Sequence, residues 1–273
     1  MPALHALKHR VIGLGERLGW NYTGRPKVGF QRLIDRLHPE LTDTPLIRLG
    51  GPNDGGYLVP DDLAGVQALF SPGVADSSEF ERACLERGMQ VFMADASVSG
   101  PASGLADLPG VHFTPQFIGA HGRPDRLAWD EWVTSAGLPS DADLMAQIDI
   151  EGAEYELLLN ASTTVLSRFR VLVIEFHEVE LWAHPGMRQL VEAALDRLLV
   201  THRVVHAHPN NYLPVKRMRD VAVPPLIELT FHRKDRAAST GWATAFPHPA
   251  DADNVPGRPA VVLPGNWWGG PKR

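Results

Sequence analysis

The chain has 273 residues, and its 26 Lys and Arg against 32 Asp and Glu leave a formal charge of −6. With 44% hydrophobic and 21% charged residues it has the make-up of a globular protein, and a chain this long buries enough surface to fold without disulfide or metal staples. The acidic balance argues against a partner bound by phosphate neutralisation, the single Cys84 excludes an intrachain disulfide, and no apolar run nears the roughly 20 residues of a membrane span.

Residues 2–20 carry leucines and a valine at helix spacing, and residues 28–37 repeat the pattern. No cleavable leader is read in the first residues, so a cytoplasmic location is the default expectation. Leu46–Leu49 and Tyr57–Val59 flank a turn rich in Gly, Pro and Asn and read as two short strands. From residue 66 strands and helices alternate. Strands are expected at 66–70, 89–94, 111–113, 144–148 and 171–174, with helices at 78–87, 127–135, 153–166 and 187–199. Such alternation implies a parallel sheet covered on both faces. The candidates at 203–208 and 226–231 have only a loop between them, so they are expected to pair as an antiparallel hairpin at one sheet edge. After residue 233 the chain is rich in Pro, Gly and Ala and reads as an extended arm.

Ligands of open α/β sheets bind beyond the carboxyl ends of the strands, so the residues that follow each strand matter most. The first strand leads into Ser71-Pro72-Gly73-Val74, and the second ends at Asp95, roughly 20 residues past the glycine, where a carboxylate can accept from a ribose diol. The loop is not G-x-G-x-x-G, since Ala75 and Ser77 take the later glycine positions, which counts against a plain dinucleotide site. Asp149 directly follows the fourth strand, and Glu175, His177 and Glu178 follow the fifth. Neighbouring strand ends lie roughly 5 Å apart, so Asp149, Glu175 and His177 are expected to converge. Two roles stay open for them: His177 as general base, or the trio as ligands of a divalent cation. His206 and His208 share one face of the sixth strand and, with Pro209-Asn210-Asn211-Tyr212, read as a rim facing the substrate. Cys84 reads as a buried, inert thiol. Trp267-Trp268 must cover a surface on this chain or on a partner.

The run Gln147-Ile148-Asp149-Ile150-Glu151-Gly152-Ala153-Glu154-Tyr155-Glu156 resembles a signature of FkbM-type methyltransferases. Asp54-Gly55-Gly56-Tyr57, the stretch from Phe70 to Glu81, and Glu175-Phe176-His177 are similar to further elements of that family, so the resemblance covers about residues 46–235. It implies a class I methyltransferase (Rossmann-like) fold, with a seven-stranded, mostly parallel sheet whose last strand is antiparallel. An N-terminal helical cap (1–45) would precede the core (46–235), and a C-terminal extended arm (236–273) would follow. It also implies S-adenosylmethionine as cofactor, with Ser71, Gly73 and Val74 near its methionine part, Asp95 and Ala96 at the ribose, and Asp149 beside it.

The expected activity is methyl transfer, O-directed, to a small molecule or sugar, with Asp149, Glu175 and His177 as catalytic residues and as ligands of an Mg2+ ion if one is used. The alternatives are a nucleotide-dependent oxidoreductase and a non-catalytic binding module of the same fold. No nucleic-acid partner is expected, and an oligomer is left open.

Overall fold

The computed structural model describes residues 26–74, 77–102, 104–121, 125–218 and 221–271. The helix expected over 2–20, most of the expected cap, and Ala75 of the glycine loop lie outside them. The described chain opens with α1 (Pro26–Asp35), β1 (Glu40–Thr42) and the hairpin β2 (Leu46–Leu49) and β3 (Tyr57–Pro60). Next come β4 (Ala68–Pro72), α2 (Glu79–Leu85), β5 (Gln90–Ala94), β6 (Val111–Thr114), and the small parallel pair β7 (Phe117–Gly119) and β8 (Arg126–Ala128). They are followed by α3 (Trp129–Ser135), β9 (Leu144–Ile148), α4 (Glu154–Asn160), α5 (Thr163–Leu166) and β10 (Phe169–Phe176). A 3-10 turn (Val179–Ala183) leads into α6 (Pro185–Leu199) and β11 (His202–Pro209). The hairpin β12 (Lys216–Met218) and β13 (Val221–Val223), then β14 (Ile227–Arg233) and β15 (Ser239–Trp242), complete the order.

Seven strands form one sheet in the order β11-β14-β10-β9-β4-β5-β6. The pairings from β10 to β6 are parallel, whereas β14 runs antiparallel to both β10 and β11. The sheet is therefore mixed rather than mostly parallel, and the expected edge hairpin of the last two strands is present. No helix of the described residues is long and apolar enough to cross a membrane.

The period of two in a strand sends alternate side chains to opposite faces, and here both faces are buried. Phe70, Phe92, Ala146, Leu172 and Ile174 face one core, completed by α1, α3, α4 and α6. Leu69, Val91, Met145, Val171 and Val173 face a second core, completed by the β2–β3 hairpin and by Phe80 and Cys84 of α2. Toward the carboxyl ends of the strands this second face turns polar. Register aligns Glu175 with Glu228 and Glu228 with His208 across β10, β14 and β11. Thr230, in the next row, donates from Oγ1 to the Leu58 carbonyl of the hairpin at 2.7 Å.

The expected single helix at 153–166 is two. Ser162 interrupts it with an extended ψ of 149° and caps α5 by accepting from Val165 N at 3.2 Å. The arm is not free: β15 pairs with β1, and Trp267 is fully buried against Trp182 with its Nε1 donating to the Ala222 carbonyl at 2.9 Å. Trp267 therefore covers this chain's own core. At the other ends of β10 and β14, away from Glu175 and Glu228, Asp62 accepts from Arg236 (2.8 and 2.9 Å), approaches Arg170 and faces His232, tying β10, β14 and the segment after β3 together.

Candidate active site

Gly73 follows β4 directly, at φ +84°, a region that glycine enters without penalty. A Cβ there would lie 1.6 Å from the Asp149 carbonyl oxygen, so the β4 and β9 exits touch through their backbones. Glycine is thus demanded by the chain's own packing before any ligand is considered. Beside this turn lies a cleft of about 470 Å3, walled by Gly73, Val74, Asp95, Phe117, Ile118 and Asp149 among others. Asp95 is 7% exposed; its Oδ2 accepts from Val74 N at 3.0 Å and its Oδ1 accepts from Ser97 N and Oγ, both at 2.6 Å. One carboxylate therefore holds the β4 loop to the β5 loop at the cleft floor.

Ser71 and Ala96, expected to touch the cofactor, are not part of this wall. Ser71 lies inside β4 and is fully buried; its Oγ sits 2.6 Å from Glu81 Oε1 and 2.9 Å from Gln147 Oε1, in a network that continues from Gln147 to the Tyr57 hydroxyl. The strand runs two residues further than expected, which turns Ser71 into the pleat. Ala96 is exposed, and its neighbour Ser97 lines the cleft instead.

A second cleft, of about 560 Å3, adjoins the first and shares Asp149 and Glu151 with it. Asp149, Glu175 and His177 all line it. The tight cluster within it is different from the expected trio. His177 Nε2 lies 3.3 Å from Glu151 Oε2 and 3.7 Å from Asp149 Oδ1, while Nδ1 lies 3.2 Å from Glu154 Oε1. One ligand atom each from Asp149, Glu151 and His177 falls within 4.8 Å of the others, whereas Glu175 groups with Asp54 and Glu228. The reason is where β10 stops. Glu175 is still in the pleat, 3% exposed, facing the hairpin side and accepting from Asn210 Nδ2 at 3.0 Å. His177 lies past the strand end and turns toward β9, just before Glu178 at φ +55°. Glu151 shares that left-handed conformation, so the turns after β9 and β10 each carry a strained non-glycine residue.

Glu154 is fully buried, and the same Oε1 also accepts from Ile150 N and Gly152 N at 3.1 Å. It fixes the β9 turn and orients the imidazole together. Tyr155 donates its hydroxyl to the His177 carbonyl at 2.7 Å and accepts from Trp182 Nε1 at 2.8 Å. Burial opposes a charge on His177, but the Glu154 hydrogen bond and the carboxylates of Glu154, Asp149 and Glu151 outweigh it, so the ring is a stronger base than usual. Burial pushes the Asp149 carboxyl up to about 7; His177 opposes this, and Glu151, Glu154 and Asp54 add to it. Burial, then Asp149 and Glu228, push Glu175 well above the usual range. Buried carboxylates at this density favour a cation in the site.

Residues 139–198 match the methyltransferase FkbM domain. The FkbM segment contains β9, α4, α5, β10 and most of α6, and so the carboxylate–histidine cluster itself. No curated protein sequence matches the chain. Among solved structures, a putative hemolysin from Streptococcus thermophilus is similar at 15% identity and a TM-score of 0.35, over 63% of this chain; this chain spans 61% of its length. A TehB-like SAM-dependent methyltransferase from Corynebacterium glutamicum is similar at 13% identity and a TM-score of 0.30, over 86% of this chain and 100% of that one.

His206 and His208 do not form the expected rim. Both are buried under the arm, facing Asp251. Sequence reading missed Glu154 as the histidine's partner. It also missed Asn254, whose Nδ2 donates to Asp54 Oδ1 at 3.1 Å and to Glu228 Oε1 at 2.6 Å. No local pattern in the sequence pairs residue 254 with residue 54. Cys84 is fully buried, as expected of an inert thiol, and burial pushes its pKa up.

Proposed function

We propose that the chain transfers a methyl group from S-adenosylmethionine to a hydroxyl oxygen of a small molecule or sugar. The observation that carries this reading is the meeting of two clefts at Asp149 and Glu151, with His177 held at the junction by Glu154. The FkbM match over the same residues supports it. The first cleft suits the cofactor. Its volume of about 470 Å3 falls within the range of small-molecule sites, it has apolar walls at Phe117, Ile118 and Ile150, and Asp95 supplies a carboxylate at the β5 end. S-adenosylmethionine supplies an electrophilic methyl on a sulfonium, and the crowded carboxylates of this junction are the right counter-charge for such a cation.

The chain's own part is to orient and to move one proton. An acceptor in the second cleft presents its hydroxyl to His177 Nε2. The ring takes the hydroxyl proton as the oxygen attacks, and Glu154 on Nδ1, with Asp149 and Glu151 near Nε2, stabilises the imidazolium that forms. Asp149, Glu151 and His177 are also the right donor types for a divalent cation such as Mg2+, which would polarise the hydroxyl instead; their 4.8 Å spacing keeps this second reading.

A methyl-transfer assay across hydroxyl acceptors, read by mass, tests both. With a productive acceptor, His177→Ala is expected to lower turnover by about 10²–10⁴-fold with cofactor affinity little changed. Full activity in His177→Ala contradicts the base role. Activity lost to chelator and restored by Mg2+ selects the metal reading.

A further inference from the structure

The proposed reaction leaves His206 and His208 unused, although both are buried, at 3% and 8% exposure, on one face of β11. The arm brings Asp251 onto that face. Its Oδ1 accepts from His206 Nε2 at 2.8 Å and lies 3.6 Å from His208 Nδ1, and its Oδ2 accepts from His248 N at 2.8 Å. One ligand atom from each of the three residues falls within 4.8 Å of the others.

The surrounding hydrogen bonds fix where the protons sit. Asn254 donates its amide to Glu228 and Asp54, so its Oδ1 is an acceptor. His208 Nε2, 3.2 Å from that oxygen, is therefore the protonated nitrogen. In the neutral ring, Nδ1 is then a bare lone pair. It is buried, it has no hydrogen-bond partner, and it looks across 3.6 Å at a carboxylate oxygen. Away from water, that lone pair and the carboxylate oxygen are joined by a cation: either a proton on Nδ1, or a metal ion that takes the place of that proton and of the one His206 Nε2 shares with Asp251.

We propose that His206 Nε2, His208 Nδ1 and the Asp251 carboxylate form a divalent transition-metal site, of the kind zinc takes, that clasps the arm to the sheet edge. Two imidazoles are borderline donors that suit zinc and its neighbours over magnesium, and a carboxylate is a ligand zinc also takes. Ligands at about 2.0–2.2 Å around a tetrahedral ion stand roughly 3.3–3.5 Å apart, and the observed 2.8 and 3.6 Å bracket that edge. His208 Nε2 on Asn254 is the outer hydrogen bond that ligating imidazoles usually make. Three protein ligands leave the fourth position of a tetrahedral ion to a water molecule, and the burial of the histidines gives the site a structural part. It also reaches the acceptor cleft. Asn211 pairs with Val255 through both amide groups, and Val255 lines that cleft, four residues beyond the proposed ligand.

The test uses the full chain, stripped with chelator and titrated with Co2+ and with Zn2+. One equivalent is expected to bind, with the visible bands of four-coordinate Co2+ and a rise in Tm. Asp251→Asn and His208→Gln are each expected to weaken binding roughly 100-fold or more, while Asp149→Asn keeps the equivalent. If either variant fails to fold, the 15N signals of the histidine rings in the unmodified chain decide. Zinc should shift one Nε2 and one Nδ1 belonging to rings other than His177. No stoichiometric binding overturns the proposal and leaves His208 as an imidazolium paired with Asp251. Binding that survives in Asp251→Asn and His208→Gln but is lost in Asp149→Asn also overturns it.

Discussion

One oxygen of Glu154 serves three partners: the amides of Ile150 and Gly152, and Nδ1 of His177. Glutamine at this position keeps an acceptor for the two amides but removes the charge that steadies the imidazolium. Glu154→Gln is therefore expected to lower turnover by about 10–100-fold, leaving cofactor affinity and Tm nearly unchanged. Separate measurement of kcat, KM and cofactor binding checks it; an equal fall in cofactor affinity would mean that Glu154 acts only by shaping the turn. Asp149 and His177 were readable in the sequence as residues at strand ends, whereas Glu151 was not singled out. The grouping was not readable, because it turns on two residues of strand length. Glu175 belongs to the pleat and His177 does not, and the apolar run before them does not say where the pleat stops.

Asp62 acts at the scale of whole elements. Burial works against its charge, but hydrogen bonds from Arg236 and His232, together with the Arg170 and Arg236 charges, bring its pKa down to about 2. A carboxyl whose pKa is lower folded than unfolded contributes stability that is fully present above its ordinary value of 3.8. That contribution fades as pH falls toward 2. After allowance for solvent screening it amounts to about 1–2 kcal/mol. Asp62→Asn should thus lower unfolding free energy at neutral pH and flatten its fall between pH 4 and 2; denaturant melts across that range measure both.

The arm is the second such element. Trp267→Ala empties a fully buried indole site beside Trp182, and a loss of about 3–5 kcal/mol is expected in chemical unfolding. A loss under 1 kcal/mol would mean that the arm is not packed on the core. The long apolar strands, β9 and β10 above all, were legible because both faces are buried. The short strands β1, β7, β8, β12, β13 and β15 were not, since three or four residues carry no period, and β1 and β15 pair only across most of the chain.

At the scale of the molecule, the sheet gathers its chemistry at one edge. The β4, β5, β9 and β10 exits supply Gly73, Asp95, Asp149 and His177, and the arm closes the far side with Asp251 and Asn254. The first four follow strands that the sequence shows, so their common edge was foreseeable. The arm's contribution was not, because pairing residue 251 with 206 depends on a fold-back that no local pattern encodes. The central claim is that the cleft beside Gly73 binds S-adenosylmethionine. Gly73 variants cannot test it cleanly, since any Cβ there strikes the Asp149 backbone whether or not a cofactor binds. Asp95 can. Calorimetric titration of S-adenosylmethionine into the full chain and into Asp95→Ala is predicted to show one site per chain in the first. In the folded variant, binding is predicted to be weaker by about 1.5–3 kcal/mol, or roughly 10–150-fold. No binding to the unmodified chain, or equal affinity in the folded variant, would contradict the account.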